Sequence, residues 1–225
     1  MTFAFARTLS IAAVTTIAAA SAQALTIPTN ALVADSIQAF SADAVDSFNL
    51  FGVTVTPLGN ATAVSSTPNA YSFPVTSITI GLSGGIQLQS GDAKGSALEI
   101  ARQVNGVKKG LTVANFTINF TTHQVLADTT PIGGATVKQT SLYNFDELSP
   151  LSIKYQFPLS ITANQVLGNL KLTDSARATM ISSLQLPPAL ANIVLPTLDF
   201  GTITQKISVA FRSKPVSTTP YVPAY

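Results

Sequence analysis

Residues 81–85 read Gly-Leu-Ser-Gly-Gly and place Ser83 in the G-x-S-x-G pattern of a serine-hydrolase nucleophile elbow. An elbow needs a strand followed directly by a helix, whereas residues 86–89 alternate apolar and polar as Ile-Gln-Leu-Gln, which is typical of a strand. Several glycines around one serine are ordinary chemistry for a hairpin loop. We therefore interpret this stretch as a loop between two strands and keep a serine hydrolase as an alternative.

The supply of acid–base side chains is small. The chain has one histidine, His123, and no cysteine, which excludes thiolate metal sites and cysteine nucleophiles. Histidine metal sites usually need a second histidine or converging carboxylates, so we interpret His123 as an exposed residue of a hairpin turn over 121–124. Asp146 and Glu147 are adjacent, and neighbours on a strand point to opposite faces, so they make a poor glycosidase pair. The sequence thus predicts no catalytic residue and no metal site.

Tyrosine is the other residue type here that can contact a cofactor, because its phenolate can ligate haem iron. Tyr71 and Tyr143 lie in stretches that predict strands, where a packed ring with a wet hydroxyl is the usual role. A haem or small-molecule binding protein that uses Tyr71, Tyr143 and His123 is therefore an alternative function, and haem is the one cofactor considered.

The first 24 residues have the layout of a secretory signal peptide. Arg7 precedes an apolar run over 9–20, and Ala22-Gln23-Ala24 is a small-x-small cleavage site. The apolar run is too short to span a membrane as a helix. We expect cleavage after Ala24 and a secreted protein, either periplasmic or extracellular, without a membrane span.

Alternating strands dominate the rest of the chain. Residues 151–161 place apolar side chains at every second position, which predicts one strand with a solvated face. Ser41 and Thr173 are predicted to cap two helices, over 42–51 and 174–186, with Gly52 and Pro187 at their ends. We predict an all-β fold, a two-layer antiparallel β-sandwich with two short helices, as a single domain over 25–212. Residues 213–225 are rich in proline and predict a flexible tail.

The charge pattern argues against two classes of partner. The formal net charge is +2, and the charges are scattered along the chain. Nucleic-acid proteins need a basic face, and anionic lipid surfaces attract polybasic runs. We predict neither of these partners.

Several segments taken in order resemble the HtaA-like domains of secreted and surface-attached bacterial proteins. They are FGVTVTPLGNATA, NAYSFPVTSITI, SGDAKGSALEI, GLTVANFTINFTTHQVLADTT, SLYNFD, LKLTDSARATMISSLQL and DFGTITQKISV, between residues 30 and 211. The resemblance implies a β-rich, sandwich-like domain exported from a bacterium. Founding members take up haem with a tyrosine in an early S-F-x-x-Y segment and a histidine just before the strand that matches GLTVANF. Here the early segment DSIQAFSADAV has no tyrosine, and residues 101–110 offer Arg102, Gln103 and Asn105 without a histidine. The haem-carrying residues of the family therefore do not transfer.

The leading hypothesis is an exported, non-enzymatic protein that acts as a cell-surface or extracellular structural or binding module, with other surface or matrix components as partners. A mature chain of this length can bury a full core, yet it carries no convergent acid–base set. A small outer-membrane β-barrel is a further alternative that the high mean hydropathy favours and that Pro158 and the capped helices oppose.

Overall fold

The computed structural model describes residues 24–81, 87–156 and 160–225. Ser83 lies outside these ranges, and so does the predicted signal peptide apart from Ala24. Both interpretations therefore stay predictions.

The chain forms strands with three interspersed helices. In chain order they are β1 (Ala24–Pro28), β2 (Leu32–Ala39), α1 (Ala42–Phe51), β3 (Val53–Gly59), β4 (Thr62–Ala63), β5 (Ala70–Pro74), β6 (Ser77–Gly81), β7 (Gln87–Val104), β8 (Val107–Asn119), β9 (Gln124–Pro131), β10 (Val137–Gln156), β11 (Ser160–Leu172), α2 (Asp174–Leu184), α3 (Pro188–Val194) and β12 (Thr202–Phe211).

All the described strands hydrogen-bond into one antiparallel sheet of twelve strands. Its order is β1-β6-β7-β8-β9-β10-β11-β12-β2-β5-β4, and β3 pairs with β7 beside this path. The predicted β-rich class is confirmed. The two-layer sandwich is not confirmed, because the strands pair as one continuous sheet rather than as two separate ones.

Bulges in neighbouring strands let this sheet curl. The register shifts between Ala93 and Ala97 in β7 and between Ala114 and Thr117 in β8. Within these shifts Gly95 and Asn115 adopt positive φ angles of 78° and 54°. Because a bulge bends its strand and increases the local twist, bulges side by side turn the sheet along one line.

The two predicted helices are present where their caps place them. The Ser41 hydroxyl accepts a hydrogen bond from the Ala44 amide, and Gly52 ends α1 in the left-handed conformation at φ 65°. Thr173 caps α2 in the same way, but α2 ends at Leu184, before the predicted boundary. No helix in the described part of the chain is both long enough and apolar enough to cross a bilayer.

A third helix, α3, is a correction to the sequence analysis. Pro187 was expected only to end α2, yet it is also the N-cap of a new helix that begins at Pro188. Proline suits a first helical position because its missing N–H group would have no partner there, and its φ is already helical.

The core lies between the sheet and the helices. Phe200 is fully buried, with its ring 6.1 Å from that of Phe48 in α1 and 5.5 Å from that of Tyr143 in β10. A second aromatic pair, Phe73 and Phe116, has ring centroids 4.9 Å apart. One contiguous apolar cluster therefore joins α1, the sheet and the segment that precedes β12.

The alternating run over 151–161 is not one strand. It covers the end of β10 and the start of β11, which pair with each other in antiparallel register up to Gln156 and Ser160. Residues 157–159, including Pro158, lie outside the described part of the chain. The period of two continues on both sides of the hairpin, so the pattern alone could not show where the chain reverses.

The proline-rich segment 213–225, called the tail below, contains no helix or strand. It hydrogen-bonds to Asn30, Asn60 and Asn115 of the preceding domain. Its predicted mobility stays a prediction.

Candidate functional site

Tyr143 lies in the core. Only 4 % of its surface is exposed, and its ring packs against Phe200. Burial raises the pKa of Tyr143 from its ordinary value of 10.0 to about 12, against a smaller opposing effect of the neighbouring Gln38 side chain. The phenol therefore stays neutral at physiological pH.

Tyr71 lies in β5 and is also buried. Its hydroxyl donates a hydrogen bond to the Val55 carbonyl over 3.2 Å, and its ring packs edge-on against Phe40. Burial raises the pKa of Tyr71. It lines a pocket of about 260 Å³ beside α1 that neither Tyr143 nor His123 lines. The structure thus does not bring the three predicted ligand residues together.

His123 occupies the β8–β9 turn, as the sequence predicts. It adopts φ 52°, a left-handed conformation that histidine tolerates better than most residues, and its carbonyl accepts the Phe145 amide over 3.0 Å. Its ring lies edge-on to Phe145, with centroids 5.6 Å apart, and 54 % of its side chain is exposed. The turn thus presents the imidazole at the surface in a fixed direction.

The His123 imidazole borders an open cleft of about 610 Å³. This volume falls within the range of roughly 300–1,000 Å³ that is typical of small-molecule sites. Its described lining combines apolar and polar side chains and contains no lysine or arginine. The lining residues are Gln87, Leu88, Gln89, Phe120, Thr121, His123, Glu147, Leu151 and Gln165.

Three polar side chains from different elements meet in this cleft. His123 Nε2 lies 3.6 Å from Glu147 Oε1, and Gln165 Nε2 donates to Glu147 Oε2 over 3.0 Å. Gln165 is only 3 % exposed, and its Oε1 has no hydrogen-bond partner among the described residues. A buried carbonyl without a partner costs about 1–3 kcal/mol, so a donor that reached this solvent-shielded atom would stabilise the folded chain.

The sequence analysis missed Gln165. Ala163, Gln165 and Leu167 share one phase of β11, and Gln165 and Leu167 are both buried. A polar residue in the inward phase of an apolar strand is the signal that would have found it.

The acidic pair is divided between two partners, as expected for neighbours on a strand. Glu147 points toward Gln165, whereas Asp146 accepts a hydrogen bond from Asn169 Nδ2 over 2.8 Å. The two carboxylates therefore do not act on one substrate atom. Within the described residues, no group of three histidine, cysteine, aspartate or glutamate side chains is arranged to hold a metal ion.

Haem fits these residues poorly. The Tyr143 phenol is buried in the core, the Tyr71 hydroxyl donates its proton to the Val55 carbonyl, and a neutral phenol is a poor ligand for iron. His123 supplies one exposed imidazole, but the described cleft lining offers no cation for the haem propionates. His123 alone remains as a contact for iron.

Comparisons with known proteins add one likeness of fold. No family model and no curated protein matches the chain. Among solved structures, the crystal structure of the C-terminal domain of HtaA from Corynebacterium glutamicum matches with a TM-score of 0.48 and 12 % sequence identity. The match covers 79 % of this chain and 97 % of that domain. HtaA is also the protein whose domains the sequence segments resemble.

Proposed function

We propose that the protein is an exported, non-enzymatic binding module whose ligand site is the cleft lined by His123, Glu147 and Gln165. The observation that carries this proposal is an open cleft of ligand size in which the side chains of His123, Glu147 and Gln165 meet. The predicted signal peptide supports export, and the scarcity of acid–base side chains supports a role in binding.

The lining indicates the class of ligand. Glu147 is the acidic side chain of the described cleft lining, and its two carboxylate oxygens are acceptors, one of which already receives the Gln165 Nε2 donor. Leu88, Phe120 and Leu151 offer apolar surface next to these acceptors. A small amphipathic molecule with an apolar body and a protonated amine would satisfy both parts, because the ammonium group supplies only donors.

Dansylcadaverine, an aromatic ring system with a terminal primary amine, is a direct probe of this cleft. We expect saturable enhancement of its fluorescence with the purified mature chain. Glu147→Gln should weaken binding about five- to tenfold, because a part-exposed charge-assisted contact of about 1 kcal/mol becomes a neutral one. Glu99→Gln is the matched control, since Glu99 is also a strand carboxylate, paired with Lys108, but lies outside the cleft.

A dansyl probe with a carboxylate in place of the amine tests the charge preference and should bind at least about tenfold more weakly. Equal affinity of wild type and Glu147→Gln for dansylcadaverine would place the ligand site elsewhere. Equal affinity for the two probes would remove the amine from the proposal.

Haem is the second candidate ligand, favoured by the half-exposed His123 imidazole at the cleft. Titration with hemin tests it, with His123→Asn as the control because asparagine also accepts the left-handed turn. A Soret band that appears with the wild-type chain and not with His123→Asn would identify haem as the ligand. A flat Soret region at stoichiometric hemin would exclude haem as the ligand.

A further inference from the structure

The tail crosses from the end of β12 to the β3–β7–β8 region through specific hydrogen bonds. The Val216 amide donates to the Asn30 carbonyl over 3.0 Å. Asn60 Nδ2 then donates to the Ser217 carbonyl over 2.8 Å. These bonds fix the backbone of the tail before it reaches β8.

Asn115 binds the tail as a neighbouring strand would. Its Oδ1 accepts the Tyr221 amide over 2.7 Å, and its Nδ2 donates to the Tyr221 carbonyl over 3.0 Å. The same side chain accepts the Gly95 amide and donates to Asp128 Oδ2, so both donors and both acceptor positions are in use. Asn115 is buried, so the loss of the tail would leave half of these bonds without a protein partner.

The tail lies close against the surface beneath it. A Cβ atom on Gly59 would lie 2.9 Å from the Tyr221 ring, and one on Gly95 would lie 2.9 Å from the Thr219 carbonyl oxygen. Further along, the Tyr225 hydroxyl lies 2.6 Å from that of Thr112, which is fully buried. We call the surface formed by Asn60, Gly95, Thr112 and Asn115 the tail groove.

Polar contacts hold the tail, and its apolar groups contribute little burial. Val222 is 77 % exposed, and Tyr225 is 53 % exposed. Each neutral hydrogen bond contributes only about 0.5–1.5 kcal/mol net, so a handful of them leaves the tail able to detach. The free tail favours an extended backbone because it contains Pro215, Pro220 and Pro223. This preference lowers the entropy cost when the tail binds to the surface again.

We propose that the tail groove is a peptide-binding site that takes the 213–225 segment of a second copy of this chain in exchange for its own. The tail groove of each chain binds the tail of the same chain, and every other copy carries a tail with the same sequence. An exchange of identical segments reuses the same contacts and requires no new interface. Because the tail is joined to its own groove by a short segment, its effective concentration there is about 1 mM. Exchange is therefore expected where the concentration of chains reaches about this value.

Complementation between two full-length variants tests this directly. Asn115→Gly removes the amide from the groove and keeps the left-handed backbone, while its tail stays intact. Tyr221→Pro removes the N–H group that Asn115 accepts, while its groove stays intact. In sedimentation equilibrium up to about 1 mM, each variant alone should have the mass of one chain, and an equimolar mixture should approach the mass of two.

A labelled peptide of residues 213–225 provides the second measurement. It should bind Tyr221→Pro at least about tenfold more tightly than Asn115→Gly. If circular dichroism shows that Asn115→Gly does not fold, the double variant Asn60→Ala/Thr112→Val replaces it. Asn60 contacts the tail before the position of Asn115, and Thr112 contacts it after that position.

Two outcomes would overturn the proposal. A mixture that keeps the mass of one chain shows that tails do not exchange between copies. Equal peptide affinity for both variants, or association of either variant alone, shows that any assembly uses a different surface.

Discussion

Tyr143→Phe should change how stability depends on alkaline pH. Burial raises the pKa of Tyr143 to about 12 in the folded chain, whereas an unfolded tyrosine titrates near 10. Above pH 10 the unfolded state releases a proton that the folded state keeps, so the free energy of unfolding falls as pH rises. Between pH 8 and pH 11 this one group should remove about 1.4 kcal/mol.

Urea unfolding of wild type and Tyr143→Phe at both pH values isolates that contribution. Tyr71 and Tyr225 also have raised pKa values, but they are present in both proteins and cancel in the difference. Wild type should therefore lose about 1.4 kcal/mol more than the variant over this interval. Parallel losses would refute the reasoning: the Tyr143 hydroxyl would then be hydrated in solution and again eligible as a ligand contact.

Three further predictions concern the core, a helix cap and the loop serine. Phe200→Ala should lower the free energy of unfolding in urea by about 3–5 kcal/mol, because its ring is fully buried between two other rings. Phe211 is exposed, so Phe211→Ala should lower it by less than about 0.5 kcal/mol. Similar losses for the two variants would contradict the core assignment. Ser41→Ala should lower stability by about 1–2 kcal/mol, because its hydroxyl both caps α1 and donates to the Asp199 carbonyl; an unchanged unfolding midpoint would show that neither bond contributes. A fluorophosphonate probe should leave the chain unlabelled, and labelling that disappears in Ser83→Ala would identify a serine hydrolase.

Local signals allowed the helices α1 and α2 to be predicted from sequence. Ser41, Thr173 and Gly52 act within one or two turns of the backbone they cap, so their effect is visible without tertiary structure. Helix α3 was missed because a proline that ends one helix can also begin the next.

Strand pairing depends on contacts that a sequence pattern does not specify. The run over 151–161 predicts β structure correctly but hides the hairpin, since its alternation continues on both sides of the reversal. A single curled sheet and a two-layer sandwich also require the same alternation. A slip of that alternation between Val113 and Phe116 indicates the bulge at Asn115, whereas no sequence signal predicted the bulge near Gly95.

The sequence offered His123 as a candidate contact but did not predict the cleft. A lone histidine in a turn pointed to His123, but its nearness to Glu147 depends on how β8, β9 and β10 pair. Gln165 comes from β11, and its unpartnered carbonyl becomes meaningful only once burial is known. Tyr71 and Tyr143 were candidates by residue type alone, and neither of them lines the cleft.

The most direct test of the proposed ligand site uses the single histidine of the chain. In protein purified without a histidine tag, the NMR signals of the imidazole belong to His123 alone. Titration with dansylcadaverine should shift these signals saturably, with the same dissociation constant that fluorescence gives. Imidazole signals that stay in place while the fluorescence saturates would contradict a ligand site in this cleft.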